Sequence, residues 1–145
     1  MAYTTIDLPT DYFNTKIWTG DGNTTQAISG VGHQPDLVWI KNRNLSSGPN
    51  LFFDSVRGAN KALVSNNASA EASVSGYLNS FDSDGFTVGN DGAVNGSGDT
   101  YVAWNWLAGG SASSNTDGSI TSSVSANTTA GFSIVKYTGT ESNAT

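Results

Sequence analysis

Asp99-Thr100-Tyr101-Val102-Ala103-Trp104-Asn105-Trp106-Leu107 decides the fold class. Successive side chains of a strand point to opposite faces. Val102, Trp104 and Trp106 therefore share one face, and Tyr101, Ala103, Asn105 and Leu107 share the other. Aromatic and β-branched residues suit a pleated, packed surface, and Gly109-Gly110 ends the run. A second run, Leu37-Val38-Trp39-Ile40-Lys41, opens after Pro35-Asp36. Its consecutive large apolar residues leave neither face polar, which predicts a central strand covered on both sides. Trp39, Trp104 and Trp106 lie on these strongest patterns, which predicts that they are core residues.

Working outward, weaker strand patterns fall at residues 16–19, 26–29, 51–56, 61–65 and 131–137. A hairpin is expected from 76–81 and 86–88 around Asp82-Ser83-Asp84-Gly85. No stretch repeats apolar residues at helical spacing between caps. The best helical candidate is the Ser/Ala-rich stretch 69–75, and 90–98 reads as a Gly/Asn/Asp loop. Many short strands with Gly-rich turns predict an all-β, antiparallel β-sandwich, with a barrel as the alternative.

The chain also echoes itself. Ile17-Trp18-Thr19-Gly20 is matched by Lys136-Tyr137-Thr138-Gly139, and Gly85-Phe86-Thr87-Val88 by Gly131-Phe132-Ser133-Ile134. Repeats of this kind mean one folding unit followed by another. The expected layout is an extended docking segment over 1–15, a sandwich over 16–110, a Ser/Thr/Gly-rich linker over 111–130 with room for one edge strand, and the opening of a second, similar domain over 131–145. The native polypeptide would then be longer.

Composition narrows the function. The net charge is −6 with 12% charged residues, and the pI is about 4.3. Such a chain lacks the basic face that nucleic acid needs. Cys is absent, so disulfides and thiol chemistry are excluded, and a zinc site lacks its usual ligands. Met1-Ala2-Tyr3-Thr4-Thr5 has neither a basic nor an apolar signal region. No apolar run approaches membrane-spanning length, so membrane insertion is not expected.

Few residues invite chemistry. His33 is the only histidine, and its place before Pro35 reads as a polar turn. Asp82 and Asp84 have the alternation of a calcium loop but lack its later ligands. The competing reading is a turn in which the carboxylates cap backbone amides. No acid pair stands out for sugar hydrolysis, so no enzyme and no cofactor are expected, calcium aside. Trp18 could stack on a sugar, although its aromatic counterpart Tyr137 argues for a structural role. Arg57 could pair internally with Asp54 or reach a partner. Ile6, Leu8, Tyr12 and Phe13 give the N-terminal segment enough apolar surface to dock on a neighbour, or to cover their own sandwich.

Several segments together resemble a family of structural proteins of marine and cyanobacterial tailed phages. They are Met1-Ala2-Tyr3-Thr4-Thr5-Ile6-Asp7, Pro35-Asp36-Leu37-Val38-Trp39-Ile40-Lys41-Asn42-Arg43, Asp54-Ser55-Val56-Arg57-Gly58-Ala59, Ser80-Phe81-Asp82-Ser83-Asp84-Gly85-Phe86 and Tyr101-Val102-Ala103-Trp104-Asn105-Trp106. The resemblance is to the N-terminal domain of tail-fibre-like proteins and covers about residues 1–110, restarting near Gly131. It implies a jelly-roll or concanavalin-like sandwich in tandem copies. It further implies a virion appendage exposed outside the capsid, with other virion proteins as partners and a homo-oligomer, a trimer by analogy. A capsid decoration protein and a module binding host-surface glycans are the alternatives.

Overall fold

The computed structural model describes residues 6–141. Twelve strands lie among them: β1 Phe13–Thr19, β2 Gln26–Ser29, β3 Leu37–Asn42, β4 Asn50–Asp54, β5 Lys61–Val64, β6 Ala72–Ser73, β7 Leu78–Asp82, β8 Gly85–Val88, β9 Thr100–Trp106, β10 Ser113–Asn115, β11 Ser122–Asn127 and β12 Phe132–Tyr137. A 3-10 turn at Pro9–Asp11 and one helical turn, α1 at Gly92–Asn95, complete the set. The strands form a six-stranded sheet in the order β1-β9-β3-β4-β5-β6 and two three-stranded sheets, β2-β8-β7 and β10-β11-β12. Every ladder is antiparallel. No sheet closes on itself, which removes the barrel alternative.

The core follows from alternation. Tyr101, Ala103 and Asn105 of β9 are buried, while Val102, Trp104 and Trp106 are half-buried. Val38 and Ile40 of β3, Leu51 and Phe53 of β4, and Ala62 of β5 point the same way as Tyr101. They meet Ile28, Leu78, Phe86 and Val88 of the second sheet, with Ala93 and Val94 of α1, in a single core. Burying each large side chain contributes about 1.5–3 kcal/mol.

The hairpin of β7 and β8 turns through Ser83-Asp84, with Asp82 opposite Gly85. Gly85 has φ +148°, and a Cβ there would lie 1.9 Å from the Ile28 carbonyl oxygen. Only glycine lets β2 pair this closely at the turn. At 90–98, where a loop was expected, Asp91 caps α1 by accepting the Ala93 N–H at 2.8 Å. At 69–75 the structure forms β6 instead of a helix.

Two expectations need correction. β3 is central but is covered on one face: Val38, Ile40 and Asn42 are buried, and Leu37, Trp39 and Lys41 are half-buried. Sideways contact explains its apolar run. The Trp39 ring lies 5.0 Å from both Phe52 and Trp104, so cross-strand neighbours shield it without a second layer. Segment 111–130 is also more than a linker, since β10 and β11 pair there and β11 pairs with β12. Within the described residues β12 completes this small sheet rather than opening a separate one. Its polar strands carry little apolar alternation, so the sequence pattern hid them.

Polar contacts anchor the small sheet. Asp36 is 1% exposed. Its carboxylate accepts from Ser55 Oγ at 2.8 Å, from the Ala108 N–H at 2.9 Å and from the Gly110 N–H at 3.3 Å. The same turn reaches β11, where Ser125 Oγ accepts from Gly109 N–H and donates to the Gly110 carbonyl. A Cβ on Gly109 would sit 2.3 Å from the Ala126 carbonyl oxygen, so the turn is pressed against β11. Asp36→Ala should strand a buried amide and cost about 1–3 kcal/mol or more. Urea denaturation would measure this loss, and an unchanged midpoint would contradict the anchoring role.

Candidate functional site

The outer face of the large sheet carries its most unusual chemistry. Odd-numbered β1 residues face outward, and strand register places them beside the β9 indoles. One row runs Thr15, Trp104, Trp39, Phe52, Leu63 across five strands. A second runs Phe13, Trp106, Leu37, and a third runs Ile17, Val102, Lys41, Asn50. Ile17 is 68% exposed, Leu63 38% and Phe13 37%. An apolar face this broad, fringed by Lys41 and Asn50, is the kind of surface that a partner covers.

The rings touch one another. Trp39 stacks on Phe52 at an interplanar angle of 21° and tilts against Trp104 at 41°. At centroid spacings of 5.0 Å, close to the strand spacing, the rings must stand on the sheet with faces toward each other. The Trp39 Nε1 atom is itself buried and has no hydrogen-bond partner among the described residues. Phe13 lies 4.9 Å from Trp106, and Phe132 stacks on the same indole at 6.2 Å. This second group joins β1, β9 and β12. A cleft of about 410 Å³ opens beside it, lined by Ile6, Pro9, Tyr12, Phe13, Trp106, Ala130 and Phe132.

The core expectation for three tryptophans is therefore corrected, and Trp18 takes the structural role rather than sugar stacking. Trp39, Trp104 and Trp106, expected in the core, form the outer face. Trp18, the candidate for sugar stacking, packs inward. Its ring stacks on Tyr101 at 5.2 Å and meets Phe86 edge-on at 5.7 Å, and its Nε1–H donates to the Val94 carbonyl. Parity is the cause, because Trp18 lies on the β1 face that also carries Asn14 and Lys16, over the core. The echoed Tyr137 is 64% exposed, so the two matched aromatics occupy different surroundings.

The N-terminal segment is partly folded back. Ile6 and Tyr12 are half-buried in the cleft with Pro9, whereas Leu8 is 59% exposed. It is not extended throughout, since Pro9–Asp11 makes a 3-10 turn and β1 already begins at Phe13. Met1 to Thr5 lie outside the described residues.

Asp82 and Asp84 are engaged by protein donors. Asp82 accepts from Ser80 Oγ and Thr87 Oγ1, both at 2.7 Å. Asp84 accepts from the Gly30 and Gly32 N–H groups at 3.0 and 2.7 Å, and these bonds hold its carboxyl below the usual carboxylate range. Asp84 thus caps backbone amides, whereas the donors to Asp82 are side-chain hydroxyls. Among the described residues no group of three or more His, Cys, Asp or Glu side chains is placed to hold a metal. Arg57 pairs internally: its Nε and backbone N–H both donate to Asp54, and Nη1 reaches Glu71 at 3.0 Å. The Arg57 and Asp54 side chains are only 11% and 7% exposed.

His33 is buried, with Nδ1 3.3 Å from the Thr10 carbonyl and Nε2 without a hydrogen-bond partner. Nδ1–H therefore donates, and the ring is held neutral. Burial pushes its pKa down, against the Thr10 bond and the charges of Asp36, Asp11 and Asp84. None of this resembles a nucleophile–base pair. Over residues 8–145 the chain matches, and belongs to, a family described as Domain of unknown function (DUF7483). Neither the curated proteins nor the solved structures gave a match.

Two tests follow the geometry. Phe53→Ala, in the core, should cost about 3–5 kcal/mol. Trp104→Thr, on the outer face, should cost clearly less by the same denaturation assay, since its surroundings are half open. Similar losses would contradict the assignment of faces. For His33, a folded pKa below the unfolded value means that the unfolded state takes up the proton first. The contribution of His33 is present above about pH 6.5 and lost as pH falls below that value toward the folded pKa. His33→Gln should therefore flatten the decline of melting temperature on the acid side of that value. An unchanged slope would contradict it.

Proposed function

We propose that the chain is a non-enzymatic structural module of a tailed-phage particle, standing outside the capsid as the particle-proximal part of a tail fibre or similar appendage. The observation that carries this reading is the broad apolar face built from Phe13, Ile17, Trp104, Trp106, Trp39, Phe52 and Leu63. A neighbouring virion protein laid on it would remove apolar surface from water at roughly 25 cal/mol per Å². The resemblance to tail-fibre-like proteins supplies the particle. The fold is read in the same proposal as a jelly-roll or concanavalin-like sandwich, supported by two antiparallel sheets that share a core.

The acids and the histidine support a non-catalytic role. Asp36, Asp54, Asp82 and Asp84 each accept from protein donors, and His33 holds the Thr10 carbonyl. A glycan would need an open ring face, and on this surface Trp39 and Phe52 turn their faces to each other. Docking of protein is therefore the better-supported use of the face.

Cryo-EM of intact particles, with mass spectrometry to find the chain, tests the proposal. Density at the tail or in an outward appendage is the expected result. Density at capsomer junctions would replace it with the decoration reading. Absence from particles, with glycan binding by the purified chain, would overturn both.

A further inference from the structure

Strand β1 is a free edge of the large sheet, paired on one side with β9. Among the described residues no strand lies on its other side. The Tyr12 carbonyl accepts from the Leu107 N–H, and the Gly20 N–H donates to the Asp99 carbonyl. Even-numbered residues of β1 thus turn their backbone groups to β9, and Phe13, Thr15, Ile17 and Thr19 turn theirs outward. Two of these outward groups are occupied locally. Asn14 Oδ1 accepts the Thr15 N–H at 2.8 Å, and Gln26 Nε2 donates to the Thr19 carbonyl at 3.0 Å. Among the described residues the N–H and C=O of both Phe13 and Ile17 have no hydrogen-bond partner.

Natural sheets protect such edges with charge, proline, bulges or brevity. β6, the opposite edge, has only two residues. β1 has seven residues, no proline, and no charge on its outward-facing positions. Its one charged side chain, Lys16, lies on the inner face with Nζ at the Gly30 carbonyl. Phe13 and Ile17 stand exposed on the outer face beside this open edge.

We propose that a second copy of this chain pairs here, β1 against β1, antiparallel about a two-fold axis through Thr15. The register follows from the pattern. Outward groups lie on odd residues, so odd must pair with odd. Centring on Lys16 would oppose two lysines, and centring on Ile17 would carry Phe13 past the strand to Asp21. Centring on Thr15 sets Phe13 opposite Ile17 twice, Thr15 opposite Thr15, and Asn14 opposite Lys16. Apolar meets apolar in both outer pairs, and the N–H and C=O groups of Phe13 and Ile17 in each chain find partners. The contact is isologous, as a two-fold demands. It would make one continuous sheet whose outer faces adjoin. Self-pairing does not depend on a phage particle, so it stands apart from the proposed function.

Sedimentation of the purified chain over a concentration series tests it. A monomer–dimer equilibrium is expected, and Ile17→Lys should raise the dissociation constant at least about tenfold, because each substitution enters the dimer twice. Ile17 is 68% exposed, so the monomer's melting temperature should hold. The chain has no cysteine, so Thr15→Cys gives a single spin-label site. The labels should lie at close range across the axis, whereas labels at Val135→Cys should not. A chain that stays monomeric, a trimer, or a dimer whose Thr15 labels are far apart would each overturn the proposal.

Discussion

Side-chain parity in β9 governs the rest of the molecule. Tyr101, Ala103 and Asn105 face the second sheet, so Val102, Trp104 and Trp106 must face away. A one-residue slip would exchange the two sets. Register then carries this choice outward. Trp39 and Phe52 follow Trp104 to the outer face, and Trp18 follows Tyr101 to the core. Tyr101 and Asn42 are engaged there by hydrogen bonds, whereas Asn105 bonds through Nδ2 and its Oδ1 has no partner among the described residues. Tyr101 Oη donates to the Gly92 carbonyl and accepts from the Gly96 N–H, and Asn42 Nδ2 reaches Asp99. These bonds tie β3 and β9 to α1 and fix which face turns inward.

The division between the faces gives the chain its functional character. The inner face and the turns use the acids as structural acceptors. Asp36 holds the 108–110 turn, Asp54 holds Arg57, and Asp84 holds the Gly30–Gly32 backbone. The outer face holds half-buried aromatic surface, with Trp39 set against Phe52 and Trp104. These carboxylates are thus engaged in holding the fold together, which supports the proposal of a module that docks on a neighbour.

Much of this was legible in the sequence. Alternation located β9, β3 and the β7–β8 hairpin, and Gly-rich turns marked their ends. Asp54 with Arg57 was legible as a local pair. Which face of β9 is covered was not, because both faces carry aromatics and alternation gives parity without direction. The strength of their strand patterns suggested that the indoles were inside, but the face with Tyr101, Ala103 and Asn105 is the buried one. Of the small sheet only β12 was legible, because β10 and β11 are mostly Ser, Asn and Ala, and they are anchored through Asp36, distant in sequence, and the Ser125 contact with Gly109. The Thr-Gly echo was real as text, yet Trp18 and Tyr137 differ in burial because their strands belong to different sheets.

Indole footprinting by hydroxyl radicals tests the central claim most directly. Modification rates of the four tryptophans would be compared between the isolated chain and the assembled particle. The account predicts that Trp39, Trp104 and Trp106 react in the isolated chain and become protected on assembly. Trp18, held between Tyr101 and Phe86, should keep the same rate in both. Protection of Trp18 alone, or no change at the outer three, would contradict it.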